Sequence, residues 1–76
     1  MAILYDVLMS PEFRRAFLRL EGAAQKRVDA WIYKLRAAEV SGTPHDEGWE
    51  IETEAGEIVD FEYQRRTIVL LNIREV

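Results

Sequence analysis

Residues Thr67–Ile73 read TIVLLNI, a run of apolar and β-branched side chains with no polar–apolar alternation. Strand side chains point alternately to the two faces of a sheet, so a strand that is solvated on one face alternates in character. An unalternating run predicts a strand in the middle of a sheet, covered on both faces. Upstream, Gln64-Arg65-Arg66 makes a turn, and Glu57–Tyr63 places Val59, Phe61 and Tyr63 on one face with Ile58, Asp60 and Glu62 on the other. Ala55-Gly56 suits a tight turn. Before it, Trp49–Thr53 alternates strictly, with Trp49, Ile51 and Thr53 opposite Glu50 and Glu52. The segment Ser41–Gly48 (SGTPHDEG) is dense in breakers and reads as a loop.

The first half has a different period. Ala2–Met9 (AILYDVLM) is short, apolar and β-leaning, and it stops at Ser10-Pro11. Ser10 suits an N-cap, Pro11 loses no needed donor at the first helical position, and Glu12 favours the positive helix end. Phe13, Ala16, Phe17 and Leu20 then follow i, i+3, i+4, i+7 spacing, with Gly22 ending the helix. A second helix is expected over about Ala23–Val40, its apolar stripe formed by Ala24, Val28, Trp31, Ile32, Leu35 and Ala38. The predicted order is β-α-α-β-β-β: an α+β domain with a helical hairpin on one face of a four-stranded, mostly antiparallel sheet. The Thr67–Ile73 strand should lie between the N-terminal strand and Glu57–Tyr63. The expected core is Tyr5 or Leu4, Phe13, Phe17, Leu20, Val28, Trp31, Leu35, Phe61, Val69 and Leu71.

The chain has 76 residues and reads as a single domain over 1–76, with a formal net charge of −4. That charge is unevenly placed. Residues 1–43 carry seven basic groups against five acids, whereas residues 44–76 carry three against nine. The acid therefore falls mostly on the strands, a surface that repels phosphate and attracts basic partners. Direct nucleic-acid binding is not expected. The hydrophobic share of 49% is ample for a core. Cysteine is absent, which excludes disulfides and thiolate metal sites and fits a cytoplasmic protein. No stretch approaches the ~20 apolar residues of a membrane span. The opening Met1–Met9 lacks the basic n-region and cleavage site of a signal peptide. A domain this small buries only roughly 60% of its unfolded surface, leaving room for a homodimer or a partner to add stability.

In three places the chain resembles the RelE/ParE toxin superfamily of bacterial toxin–antitoxin modules. Tyr5-Asp6-Val7 followed by Ser10-Pro11-Glu12-Phe13 is similar to the family's opening, Gln25–Leu35 (QKRVDAWIYKL) to its second helix, and Phe61–Arg74 (FEYQRRTIVLLNIR) to its closing hairpin. The resemblance implies messenger-RNA cleavage on the ribosome or inhibition of DNA gyrase, with an antitoxin as partner. RNA cleavage needs cations for phosphate and a group that moves the 2′-hydroxyl proton. The family places arginines around a glycine turn, roughly R-x-G-x-Y-R. Here Glu54 and Val59 stand where those arginines are expected, Ile58 replaces the aromatic residue, and Ile73 precedes Arg74.

The catalytic candidates are Arg74, the cation that best matches the family and that reads equally as a salt bridge to the acidic sheet, together with Arg65 and the sole histidine, His45. The departures from the family pattern turn the expectation away from an enzyme and towards a toxin-module relative that acts by binding protein. Its docking surface would be Glu50, Glu52, Asp60 and Glu62, which alternation puts on the face turned from the helices, and its partner an antitoxin or another basic segment. These carboxylates could ligate Mg²⁺ or Ca²⁺, but their spacing matches no ion loop, so neither metal nor cofactor is expected. Two alternatives stay open: an active toxin, or an acidic adaptor or inhibitor, for which a phage is one source.

Overall fold

The computed structural model describes residues 3–75. Five strands and two helices follow one another as β1 (Asp6–Met9), α1 (Pro11–Arg19), α2 (Gly22–Arg36), β2 (Thr43–His45), β3 (Gly48–Glu52), β4 (Glu57–Gln64) and β5 (Thr67–Glu75). They build one mixed sheet in the order β1-β5-β4-β3-β2. The β1–β5 pair is parallel, and the other three pairs are antiparallel. The fold is a small α+β domain. Its last strand lies between β1 and β4, as its apolar run predicts.

The sheet has five strands rather than the expected four. Thr43–His45, expected to be loop, pairs antiparallel with Gly48–Glu50. Pro44 conceals this strand in the sequence. An edge strand needs ladder bonds on one side only, so a residue lacking N–H is tolerated there and blunts the edge against further pairing. Just before it, Gly42 passes against the Phe61 ring: an added Cβ would stand 2.5 Å from Phe61 Cζ. Only glycine fits that approach.

Both helix boundaries differ from expectation in one respect each. Gly22 opens α2 instead of closing α1, which ends in an extended Leu20. α2 stops at Arg36, four residues short of Val40, in a Schellman turn. The Ala38 N–H donates to Leu35 O at 3.0 Å and the Glu39 N–H to Lys34 O at 2.8 Å, with Ala38 at φ 57°. The usual glycine signal is missing there, so the stop is hidden. Of the expected first strand, Ala2 lies outside the described residues, and 3–5 precede β1. The Leu4 and Tyr5 N–H groups donate to the freed Arg36 carbonyl at the end of α2.

The core lies between the helices and one sheet face. It is built from Phe13, Val28, Ile32 and Leu35 against Ile51, Val59, Phe61, Ile68, Leu70 and Ile73. Tyr5, Phe17, Leu20 and Trp31 pack on it only partly buried, and Leu4 is exposed. Val69 is buried but lies outside this cluster, and Leu71 is only half-buried. The β4–β5 register steps from Asp60–Asn72 to Phe61–Leu70, leaving Leu71 as an extra residue. This β-bulge resets the alternation, so Ile68, Leu70 and Ile73 face the helices while Val69 turns to the other side. The bulge accounts for Leu70-Leu71 in the unalternating run, whereas Val69, ahead of it, is an apolar residue of the outer face that is itself buried. No helix among the described residues is long and apolar enough to cross a membrane.

Candidate functional site

The outer face of the sheet carries the four carboxylates that alternation assigned to it. Glu50 and Asp60 are directly paired across β3 and β4, a like-charge contact that would destabilise the sheet if left alone. Arg74 of β5 closes it. Its Nε and Nη2 donate to the two Asp60 carboxylate oxygens at 2.8 and 2.7 Å, and Nη2 also donates to Glu50 Oε1 at 2.7 Å. These hydrogen bonds to Asp60 and then Glu50 raise the guanidinium pKa above its already high value. His45 of β2 reaches the same carboxylate, with Nδ1 3.4 Å from Glu50 Oε1 and Nε2 3.5 Å from Asp46 Oδ2. Glu52 is exposed, and Glu62 accepts a hydrogen bond from Gln64.

Two of the three catalytic candidates therefore meet on this face, and Arg65 does not join them. Arg65 sits in the two-residue turn between Gln64 and Thr67, exposed and at φ 60°, beyond the end of β4. Around His45 and Arg74 the surface forms an open concavity of about 530 Å³, with Asp46, Glu62, Trp49 and Leu71 also lining it. Its polar lining is dominated by carboxylate, and Arg74 is already bonded to Asp60 of that lining and to Glu50 beyond it. Phosphate or a developing oxyanion would have to displace both from Arg74. A cation meets the unengaged acids directly, and Leu71 offers an apolar patch beside them. Among the described residues no cluster of His, Cys, Asp or Glu is arranged to hold a metal ion.

The acids at the β3–β4 turn have a different role. Arg27 Nε and Nη2 on α2 donate to the two Glu57 oxygens at 3.0 and 2.7 Å, and the Thr53 hydroxyl bonds Glu57 Oε1 as well. Arg27, then Thr53, hold Glu57 down to about 2, against the desolvation of a carboxylate only 5% exposed. Trp31 Nε1 donates to Glu54 Oε1 at 2.9 Å, lowering the Glu54 pKa as well, and Lys34 Nζ lies 4.5 Å from the Trp31 ring centroid. Glu54 and Glu57 thus tie the turn to α2.

Sequence reasoning placed the outer acids and weighed a salt bridge from Arg74 to the acidic sheet, which the structure shows; that both Asp60 and Glu50 are its partners depends on a β4–β5 register that composition does not specify. It missed a groove on the helical side, between α1, α2 and β1. The signal was Leu18, an apolar residue off the Phe13-Ala16-Phe17-Leu20 stripe and 69% exposed. In comparisons with protein-family models, curated proteins and solved structures, nothing matches this chain.

Proposed function

We propose that the protein is a RelE/ParE-like toxin-module relative that works by binding a basic protein segment on its outer sheet face. The observation that carries this reading is the state of Arg74. The cation best matched to the family's catalytic pattern is bonded to Asp60 and Glu50, and the concavity around it is lined with further acid. Cleavage of RNA requires the reverse polarity at the scissile phosphate. The glutamate at one of the family's arginine positions has a structural task instead: Glu54 is hydrogen-bonded to α2. The neighbouring Glu57 is paired with Arg27.

Induction in a bacterial host, together with assays of ribosome-dependent messenger-RNA cleavage and gyrase supercoiling, separates this reading from the active toxin. The binding reading expects unchanged growth, intact message and normal supercoiling. Growth arrest with cleaved message, abolished by Arg74→Ala, would replace it with the ribonuclease alternative.

A further inference from the structure

On the side opposite the acidic concavity, α1, α2 and β1 border an open groove of about 380 Å³. Val7 and Leu70 form its floor, and Leu18 projects from its α1 wall with 69% of its surface exposed. Met9, 45% exposed, extends the apolar surface along β1. An apolar recess beside a projecting leucine is expensive to leave in water on so small a domain. The rim carries both signs of charge: Arg14 on the α1 wall, and Asp29 and Arg36 on the α2 wall. Arg36 is engaged, its Nε donating to Tyr5 O at 3.4 Å. Arg14 and Asp29 are exposed, and neither belongs to an ion pair among the described residues.

We infer that this groove is a self-association surface occupied by a second copy of the chain about a two-fold axis running along it. Such an axis exchanges the two walls. It sets the α1 wall of each copy, with Arg14 and Leu18, against the second copy's α2 wall, with Asp29 and Ile32. An isologous contact must be complementary to itself, so it needs a knob with a hole and a cation with an anion on one patch. This patch has all four. An unlike partner would need only a recess and one sign of charge. The outer sheet face lacks this property, because its arginine, Arg74, is already bonded to Asp60 and Glu50 of its own copy. The inference is independent of what the outer face binds.

Sedimentation equilibrium of the full chain, from micromolar to millimolar concentration, tests it with four variants: Leu18→Glu, Arg14→Glu, Asp29→Arg, and the last two combined. All three positions are exposed, so circular dichroism should stay unchanged. The wild type should show a concentration-dependent dimer. Leu18→Glu and each single charge reversal should raise the dissociation constant about tenfold or more, since the two-fold axis applies every substitution twice. The combined variant should return to within about threefold of wild type. A monomer at every concentration would overturn the inference. So would a dimer indifferent to these substitutions, or a combined variant no better than the single reversals.

Discussion

The Glu57 carboxylate receives two bonds from Arg27 and one from Thr53 while almost wholly buried, and that setting gives the protein an acid-labile joint. Its pKa falls to about 2 from an ordinary 4.5. A depressed carboxylate contributes stability that is fully present above the ordinary value. It is lost as pH falls from about 4.5 towards about 2. Chemical denaturation across that window should show the loss, on the order of 2 kcal/mol. Glu57→Gln should unfold about 2 kcal/mol more easily at neutral pH and lose most of this acid dependence, because Arg27 is left without its partner. A variant with the wild-type acid profile would show that the pair is not the joint. Ala38 is strained in the opposite sense. It holds φ 57° at the end of α2, where a Cβ is unfavourable. Ala38→Gly should therefore raise stability by about 0.5–1 kcal/mol, read as a higher denaturation midpoint at unchanged slope.

At the scale of elements, Ser10 joins the first strand, the first helix and the bulge. Its hydroxyl oxygen accepts from the Phe13 N–H at 3.0 Å as an N-cap, and the same hydroxyl donates to Leu71 O at 2.8 Å. Its own N–H donates to Leu70 O at 2.9 Å. The side chain thus caps α1 and satisfies the carbonyl that the bulge displaces from the ladder. Ser10→Ala removes both side-chain bonds and should cost about 1–2 kcal/mol, with hydrogen exchange accelerating in α1 and around Leu71 together. Faster exchange in α1 alone would mean that the bulge stands without Ser10. The cap itself was legible in Ser10-Pro11-Glu12, and the central strand in TIVLLNI. The bulge was not, since nothing local marks Leu71 as an extra residue, and the parity of the core in β5 followed it into error. β2 was hidden by Pro44, and the end of α2 by an alanine in glycine's place. Alternation, by contrast, sorted β3 and β4 correctly into core and outer faces, because it depends only on the strand's own geometry.

The whole molecule is electrically two-sided. Seven of its ten basic residues lie on α1 and α2, whereas residues 44–76, with β2 to β5 and their turns, carry nine of its fourteen acids, and Arg74 is set among those of the outer face. Opposite charge at such a face mainly accelerates encounter, so binding there should weaken as salt rises. The carboxylates free to meet a partner are Glu52 and Glu62, because Glu50 and Asp60 hold Arg74. Glu52→Lys with Glu62→Lys should therefore reverse the preference of the face and leave the fold intact, since exposed charges contribute little to stability. Asp60→Lys would instead set two cations together and open the clamp.

The most direct measurement is amide chemical-shift mapping of the labelled protein at low salt, titrated in parallel with an arginine-rich peptide and with a single-stranded RNA oligonucleotide. The peptide should shift residues around Glu52, Asp60 and Glu62. That response should fade with added salt and vanish in the Glu52→Lys, Glu62→Lys variant, while the RNA leaves the face unmoved. Shifts at His45 and Arg74 on adding RNA, with none from the peptide, would contradict the account.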